Sequence, residues 1–472
     1  KYTIKGKLID KDTGNPLLVN GSEVTASTTF VTTSPKGTAK LEYVLNASAL
    51  KGKTVVVFED LYKEDKKVAS HADINDKDQS VHFPKVSTKA LDEKTQEHMS
   101  SAGNKTVLID TVKYENVLSG KEYTVSGILM DKETGKPMLD ENGKEIKGEI
   151  TFTAVGSSGE VKVKYTVDTE KLKGRKSVVF EKLFYKGKQV AKHEDIKDDG
   201  QTVIFPEIKT KAIDKETNDH VGSLDEKVEI VDTVSYTNLI KDKEYTVSGV
   251  LMDKETGKPI LDESGKEIKA FKKFTAKESS GSIDISFFVS SKLLKGKTVV
   301  VFEDLKYKDI KVGFHADIKD EGQSVHFPKI ITAASDLHSK DQLSLAKPKT
   351  TVIDTVSYEN LIKGKEYTVS GKIMDKETGK PILSLDGKEI TGGTKFSPKA
   401  GKGDIRVIYT LDTVMLKGKD IVVFEEMYFK NKLIAEHKDI SDEGQTVHIP
   451  ALKTKALEKG TNKNVISPKK VN

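Results

Sequence analysis

Four polar residues recur at fixed spacing along this 472-residue chain. A glutamate is followed twelve residues later by a histidine, and an aspartate and a glutamine lie five and eight residues beyond that histidine. The four sets are Glu59, His71, Asp76 and Gln79; Glu181, His193, Asp198 and Gln201; Glu303, His315, Asp320 and Gln323; and Glu425, His437, Asp442 and Gln445. Carboxylates and imidazoles transfer protons, and a carboxamide carbon is an electrophile, so each set could support an acyl-transfer step.

Two further positions follow the same 122-residue offset. A threonine opens a short β-like segment shortly after each set, and an aspartate in the string DTV lies 22 residues after the threonine. The threonines are Thr88, Thr210, Thr332 and Thr454, and the aspartates are Asp110, Asp232 and Asp354. The hydroxyl supplies a nucleophile, and two aspartates compete for the assisting role: the DTV residue and the one three residues before each glutamine.

The chemistry that this combination allows is a single substitution. In a β-sandwich the first and last strands can lie side by side, which would bring each threonine to the next glutamine. The threonine Oγ could attack the glutamine carbonyl once the neighbouring imidazole removes its proton, and a carboxylic acid kept protonated by burial could polarise the amide. Ammonia would leave and an ester would remain. The step occurs once per domain, so we predict self-modification without turnover and no conventional enzyme.

A simpler explanation is that tandem copies diverge slowly and the polar residues only record duplication. The first two copies nevertheless differ strongly between STTFVTTSPKGTAKLEYVL and EITFTAVGSSGEVKVKYTV, while the glutamate, histidine, aspartate and glutamine are kept. A second histidine is replaced by Ile204 in one copy, which predicts an exposed strand residue at His82, His326 and His448. The loop histidines His98, His220 and His338 are predicted to have no specific role.

The offset also sets the domain organisation. It predicts four repeats at residues 1–84, 85–206, 207–328 and 329–450, with a tail at 451–472 that would be the first strand of a further repeat. The first repeat lacks its N-terminal strands. Segments such as EYTVSGILM and VKVKYTV alternate with period two, strings such as DKETGKP form turns, and no long segment has helical periodicity. The pattern predicts an all-β protein of tandem immunoglobulin-like β-sandwich domains in an elongated rod.

Composition excludes several classes of function. The chain has no cysteine, which excludes disulfides and thiolate chemistry. Its 78 basic and 73 acidic residues are interspersed, which argues against a nucleic-acid partner. No segment is apolar enough for a membrane span. We expect no cofactor and no metal, because the Asp-rich loop HADIKDEG lacks the spacing of an EF-hand.

The strings DTVSYENLIKGKEYTVSGKIMDKETGKPIL, VVFE and H-x-D-I-x-D-x-x-Q-[TS]-V together resemble the VaFE-type, Thr–Gln ester-bond domains of Gram-positive surface adhesins and pilin-like stalks. The resemblance covers essentially all four repeats. It implies immunoglobulin-like domains, each with an autocatalytic ester between a first-strand threonine and a last-strand glutamine. The bonded pairs would be Thr88–Gln201, Thr210–Gln323 and Thr332–Gln445. It also implies proton-transfer and polarising roles for the glutamates and histidines of the second to fourth repeats.

The ends of the chain depart from this pattern. The first repeat lacks the threonine strand and the DTV strand, so Gln79 has no partner within its own repeat, and Thr454 has no later glutamine. We expect a piece excised from a longer array. The alternative is a covalent head-to-tail fibre in which Thr454 of one chain bonds to Gln79 of the next.

The expected function is a structural stalk or fibre segment of an extracellular protein anchored to the bacterial cell wall through a part outside this sequence. Its partners would be repeats of the same protein or neighbouring chains. Ligand-binding adhesin repeats are an alternative, although near-identical turns in every repeat speak against one dedicated site. A Lys–Asn isopeptide module is another, although Ala333 replaces the candidate lysine in one repeat.

Overall fold

Short antiparallel strands account for nearly all the regular structure of the chain. The computed structural model describes residues 1–459 together with residues 462 and 464. Strands form where apolar and polar residues alternate, because alternate side chains of a strand point to opposite faces of a sheet. In the second strand of the second repeat, for example, Leu108 and Val112 are buried while Val107 and Lys113 are not. The prediction of an all-β protein is confirmed.

The strands repeat with the sequence. The first repeat contains β1 (Tyr2–Asp10), β2 (Leu18–Val19), β3 (Ser22–Glu23), β4 (Thr25–Phe30), β5 (Thr54–Lys63), β6 (Lys66–His71) and β7 (Ser80–His82). The second contains β8 (Lys85–Asp92), β9 (Thr106–Glu115), β10 (Glu122–Asp131), β11 (Lys147–Thr153), β12 (Gly159–Val167), β13 (Lys176–Tyr185), β14 (Lys188–His193) and β15 (Thr202–Ile204).

The other two repeats follow the same order. The third contains β16 (Glu207–Asp214), β17 (Val228–Thr237), β18 (Glu244–Asp253), β19 (Lys269–Thr275), β20 (Gly281–Val289), β21 (Thr298–Tyr307), β22 (Ile310–His315) and β23 (Ser324–His326), with one short helix, α1 (Ser291–Leu294). The fourth contains β24 (Lys329–Asp336), β25 (Thr350–Glu359), β26 (Tyr367–Asp375), β27 (Thr391–Phe396), β28 (Gly403–Leu411), β29 (Asp420–Phe429), β30 (Lys432–His437) and β31 (Thr446–His448). Single 3₁₀ turns lie at Ala47–Leu50, Thr169–Lys171, Asp199–Gln201, Glu321–Gln323, Val414–Leu416 and Glu443–Gln445.

Two sheets face each other in each of the last three repeats. In the second repeat one sheet has the order β11-β10-β13-β14, with β15 paired to β13, and the other has the order β12-β9-β8. Val125, Val163 and Val179 are fully buried between them. The third and fourth repeats have the same two-sheet order. These are tandem immunoglobulin-like β-sandwiches, as predicted.

The first repeat is built around one sheet. Its order is β4-β1-β5-β6 with β7 paired to β5, and β2 and β3 form a small hairpin. The stretch at residues 31–46, which aligns with the β12 region, forms no strand because it has no β9 to pair with. Its core is correspondingly small: Leu8, Leu17, Val24, Leu50 and Val55.

The first and last strands of a repeat meet in a way that the sequence did not predict. We expected them to lie side by side, but β8 is hydrogen-bonded to β9 and β15 to β13. The two strands therefore belong to opposite sheets. They approach each other across the edge of the sandwich, and contact between them is made by side chains.

The second, third and fourth repeats interlock, because an apolar side chain of one repeat enters the core of the next. Met99, from a loop of the second repeat, is fully buried within the core of the third, and Val221 of the third repeat is buried within the core of the fourth. Backbone hydrogen bonds accompany them, from Ala102 N to Lys311 O and from Leu224 N to Leu433 O, each at 2.8 Å. An interface with a buried anchor resists bending more than a flexible linker does.

An asparagine also joins each repeat to the one before it. The Asn116 carboxamide donates to the carbonyl oxygens of Lys53 and Phe83, and Asn238 and Asn360 make the equivalent pairs of bonds in the later repeats. His82 Nδ1 lies 3.0 Å from Asn116 Oδ1. We call the set of hydrogen bonds made by the asparagine carboxamide at each junction the asparagine clasp.

The prediction that the second histidine is an exposed strand residue is therefore wrong for His82 and for His326, which are half-buried; His326 Nδ1 lies 3.2 Å from Asn360 Oδ1. The histidine completes a contact between two repeats. The sequence of one repeat alone does not show this contact, because the asparagine belongs to the following repeat. His448 is exposed, and its Nδ1 lies 2.8 Å from Asp420 Oδ1. The loop histidines His98 and His220 also differ from prediction, because each bonds a backbone carbonyl of the last strand at 3.0 Å.

The predicted tail strand is not formed in the part that the structure describes. Residues 451–459 are in no strand, and Thr454 is exposed. Residues 460, 461, 463 and 465–472 of the predicted tail lie outside the described residues. No helix among the described residues is long and apolar enough to cross a membrane.

Candidate functional site

Two carboxyl groups occupy core positions in the second repeat. Asp110 falls between Leu108 and Val112 on the inward face of β9, and Glu181 takes an inward position of β13. Both are 0% exposed. Carboxylates are almost never fully buried unless they are paired, so two of them inside one small core mark a functional site rather than a solvated surface.

The register of β13 places a histidine beside the glutamate. Glu181 lies directly opposite His193 on β14 and opposite Gly127 on β10. Residues directly opposite each other in an antiparallel pair project to the same face, so the imidazole and the carboxyl group are neighbours. The third and fourth repeats have the same register at Glu303–His315 and Glu425–His437.

The aspartate before the glutamine holds both the histidine and the turn. Asp198 caps the 3₁₀ turn by accepting a hydrogen bond from Gly200 N at 2.7 Å, and its other oxygen bonds His193 Nε2 at 2.8 Å. The turn then delivers Gln201, 0% exposed, into the core. Asp320 and Asp442 make the same two contacts.

The threonine and the glutamine meet at the glutamate. Gln201 Nε2 lies against Thr88 Oγ1 and donates to Glu181 Oε2 at 2.5 Å. Thr88 Oγ1 donates to the same oxygen at 3.3 Å. One carboxyl oxygen therefore reaches both the hydroxyl that would attack and the nitrogen that would leave.

The other repeats show related geometry. In the fourth repeat Gln445 Nε2 lies against Thr332 Oγ1 and donates to Glu425 Oε2 at 2.6 Å. In the third repeat Gln323 Nε2 donates to both oxygens of Glu303, at 2.8 and 2.9 Å, and Thr210 Oγ1 donates to Oε2 at 3.4 Å.

Burial controls the protonation of the carboxyl pair. It raises the pKa of Glu181 well above the usual range, and the charge of Asp110 adds to the increase. Burial also raises the pKa of Asp110, although its interaction with Glu181 acts in the opposite direction. The same directions hold for Asp232 with Glu303 and for Asp354 with Glu425. Each pair therefore retains a proton at neutral pH, because two adjacent buried carboxyl groups do not both ionise.

The structure brings together most of the predicted residues but changes their arrangement. The two aspartates that the sequence left as alternatives both lie at the site: Asp110 with Glu181, and Asp198 with His193. The threonine hydroxyl donates to Glu181 and is not hydrogen-bonded to His193, so the glutamate rather than the imidazole contacts the nucleophile. Sequence reasoning missed Tyr165, which is buried beside the pair; its inward phase on β12 was the available signal.

The first repeat holds part of the set. Gln79 Nε2 donates to Glu59 Oε2 at 2.6 Å, and His71 Nε2 bonds Asp76 at 2.8 Å. No threonine of this repeat reaches Gln79, whose Oε1 is buried without a partner. Pairing of Gln79 with Thr454 of another chain stays a prediction. Among the described residues no group of three or more metal-ligating side chains is arranged to hold an ion.

Fold and site together define a tandem array of β-sandwiches, with a threonine, a glutamine and a buried carboxyl pair inside each of the last three repeats. The model of the T-Q ester bond containing domain matches the chain four times, at residues 1–83, 84–205, 206–327 and 328–449. The chain belongs to this family.

Solved structures give more distant similarities. A bacterial adhesin from Mobiluncus mulieris, described as containing intramolecular disulfide, isopeptide and ester bond cross-links, is 14% identical; the match covers 53% of this chain and 87% of that chain with a TM-score of 0.22. The C-terminal domain of the Streptococcus agalactiae AgI/II polypeptide BspA is 13% identical, covering 48% of this chain and 97% of that chain with a TM-score of 0.25. No curated protein shows a significant match.

Proposed function

We propose that the chain is a stalk segment of a bacterial surface protein, anchored to the cell wall through another part of that protein, and that its last three repeats are each stabilised by a Thr–Gln ester. The bonded pairs are Thr88–Gln201, Thr210–Gln323 and Thr332–Gln445. The observation that carries the proposal is the contact of Gln201 Nε2 with Thr88 Oγ1 beside Glu181 in a closed core. The domain boundaries 85–206, 207–328 and 329–450 belong to the same proposal.

The reaction follows from the contacts of Glu181. Thr88 Oγ1 adds to Cδ of Gln201 while its proton passes to Glu181 Oε2, the oxygen to which it already donates, and Asp110 holds the one proton that the buried pair retains during this step. That oxygen also contacts Gln201 Nε2, so it can deliver the proton to the leaving nitrogen. The C–O bond forms, the C–N bond breaks, and ammonia departs. No cofactor is required, and the domain reacts once.

The remaining groups position and tune the glutamate. Asp110 shares a proton with Glu181, which keeps the buried pair at a single negative charge or less. Asp198 orients His193 against the site through the 2.8 Å bond to Nε2. The imidazole then balances charge that develops next to it during the substitution.

An ester at this place would make the domain resistant to force. It joins β8, at the start of the repeat, to the turn before β15, at its end, and it closes a loop of 113 residues. By the chain-entropy treatment used for disulfides, such a loop closure stabilises the folded state by about 5 kcal/mol. Tension would pass along the covalent path and leave most of the sandwich unloaded. A cysteine-free protein would thus gain the benefit of a disulfide.

The buried anchors Met99 and Val221 support a stiff spacer, and we propose that the repeats form an elongated rod. A second candidate function is a covalent fibre subunit. The fibre is favoured by the incomplete site at Gln79 and Glu59 in the first repeat. Glu59 lines a cavity of about 800 Å³. In that case the threonine strand around Thr454 would come from a second chain.

Intact mass under denaturing conditions tests both candidates. Three esters lower the mass by about 51 Da, since each substitution releases one ammonia of about 17 Da. T88A restores one ammonia and T88A/T210A/T332A restores all three. An unchanged mass in the parent chain rules out the ester proposal. Covalent ladders that disappear in T454A would support the fibre, and monomer alone would rule it out.

A further inference from the structure

Building on the proposed ester chemistry, we propose that Tyr165 and Tyr409 are positioning residues that orient the glutamate carboxyl group, and that Phe287 makes the third repeat the slow one. The three residues hold the same place on β12, β28 and β20. The proposal rests on the location of the hydroxyl and on a difference between repeats.

The tyrosine hydroxyl lies over a glycine that flanks the glutamate. Gly127 is the residue opposite Glu181 on β10, and a Cβ at Gly127 would clash with the Tyr165 hydroxyl. Gly371, which lies opposite Glu425, is covered by the Tyr409 hydroxyl in the same way. The glycine thus provides the space through which the hydroxyl reaches the carboxyl group.

In the fourth repeat the tyrosine hydroxyl donates to the carboxyl oxygen that does not face the threonine. Tyr409 Oη donates to Glu425 Oε1 at 3.3 Å, and Glu425 Oε2 is left to accept from Gln445. In the second repeat the corresponding atoms, Tyr165 Oη and Glu181 Oε1, are both buried and neither makes a hydrogen bond, so the hydroxyl is free to donate to this oxygen after a small rotation. Burial raises the pKa of both tyrosines far above its usual value, so the hydroxyl remains a neutral donor.

The third repeat shows the carboxyl group without this donor. Phe287 has no hydroxyl, and Glu303 turns both oxygens to Gln323 Nε2, at 2.8 and 2.9 Å. Gln323 then makes no hydrogen bond to Thr210, whereas Gln201 and Gln445 both contact their threonines. The threonine and the carboxamide therefore meet in the two repeats where a tyrosine hydroxyl lies beside the glutamate, and in the repeat without the hydroxyl both glutamate oxygens hold the carboxamide away.

The rates of ester formation in the three repeats can be compared directly, because the three repeats react within one molecule. The full chain is recovered in urea before it folds, refolded by dilution, and quenched in acid at intervals. Digestion and mass spectrometry then give the fraction of ester-linked peptide for each repeat. We expect the third repeat to react about tenfold more slowly than the second and fourth. Y165F should slow the second repeat by about tenfold and leave the other two unchanged.

The reverse substitution, a tyrosine in place of Phe287, should increase the rate of ester formation in the third repeat. The third repeat keeps Gly249, but Ile285 replaces the Val163 and Val407 of the other repeats and crowds the space beside the ring. The matched variant is therefore I285V/F287Y, with I285V as its control. It should accelerate the third repeat by about tenfold, while I285V alone should not.

Two readouts separate positioning from folding. The refolding rate of T88A/Y165F, followed by circular dichroism, should equal that of T88A, and the pH dependence of ester formation in the second repeat of Y165F should become that of the third. Equal rates in the three wild-type repeats, or a Y165F chain whose second repeat reacts normally, overturns the inference. Loss of ammonia from no repeat overturns the proposed function as well, so the two failures differ.

Discussion

Asp110 and Glu181 enter the same core from opposite sheets. Asp110 lies on β9 opposite Ala90 and Val163, and Glu181 lies on β13 opposite Gly127. Each takes the place of an apolar core residue, and both are fully buried. Burial raises the pKa of both carboxyl groups, so the pair retains a proton at neutral pH, and this retained proton is available for chemistry.

Removing the shared proton should stop the reaction in one repeat. In D110N the amide cannot exchange a proton with Glu181, although its size is almost unchanged. We expect ester formation in the second repeat to fall at least about a hundredfold, the usual contribution of an acid–base group. The third and fourth repeats should react normally, and mass spectrometry of the digested chain measures all three.

D232N and D354N are the matched controls, and each should reduce ester formation only in its own repeat. D198N tests the other aspartate separately, because that residue acts through His193 and through the cap on the turn. If D110N reacts at the parent rate, Asp110 has no part in the chemistry.

Without esters, the buried carboxyl pairs should make the protein less stable as the pH rises. The relevant chain is T88A/T210A/T332A. Because the pKa values of the pairs are raised in the folded state, their contribution to stability is complete below the ordinary carboxyl values and is lost as the pH rises through the folded values. Thermal unfolding between pH 5 and 8 should therefore show midpoints that fall with pH. Adding D110N/D232N/D354N should flatten this dependence, and midpoints that rise with pH in the triple threonine variant would contradict the argument.

The sequence predicted the fold and the composition of the site because both depend on periodic features. Alternation identified strands such as β9 and β12, and the 122-residue offset identified Thr88, Asp110 and Gln201 as members of one set. The inward phase of Asp110 was visible in the same alternation. Its partner in space, Glu181, belongs to the opposite sheet, and strand pattern alone does not show which residues face each other across a core.

Contacts between repeats were not predictable in the same way. His82 and His326 looked like exposed strand residues because their partners, Asn116 and Asn360, belong to the following repeat. The substitution by Ile204 led to the prediction of an exposed strand residue. It reflects instead a repeat whose clasp depends on the asparagine alone. The domain boundaries, the identity of the bonded pairs and the pairing of Thr454 with Gln79 stay predictions.

The asparagine clasp should contribute measurably to the stiffness of the junction. Asn360 donates to Lys297 O and Phe327 O at 2.7 and 3.1 Å and accepts from Thr298 Oγ1 at 2.8 Å. Its φ of 65° lies in the left-handed region, so the side chain is best removed as N360G, which avoids strain. At about 0.5–1.5 kcal/mol per net hydrogen bond, we expect the loss of these three bonds in N360G to weaken docking of the third and fourth repeats by about 1.5–4.5 kcal/mol.

Energy transfer between dyes on the two repeats measures this docking. The chain has no cysteine, so K266C and K388C, both at exposed positions, provide unique labelling sites. N360G should broaden the distance distribution, and N238G should leave this pair of dyes unaffected because it acts at the previous junction. An identical distribution in N360G would show that Val221 and its neighbours hold the junction without the clasp.

The same junction should loosen on acidification. His326 Nδ1 faces Asn360 Oδ1 and Thr298 Oγ1, its Nε2 faces Glu321 at 3.6 Å, and Lys254 lies nearby. Burial lowers the pKa of His326 despite the favourable charge of Glu321. The docked state therefore binds a proton less readily than the open state. Docking is fully stabilised above the ordinary histidine value of about 6.5 and loses stability as the pH falls through that value.

The chain supplies a control for this prediction, because Ile204 occupies the equivalent position in the second repeat. In H326I the dye pair of K266C and K388C should report a distance that does not change between pH 7.5 and 5.5, whereas the parent chain should open at the lower pH. A parent chain that is equally insensitive would contradict the argument from His326. A shift that persists in H326I would instead assign the pH response to Glu321 or to another group at the junction. The asparagine clasp is thus separable from the ester chemistry, since neither N360G nor H326I changes Thr332, Glu425 or Gln445.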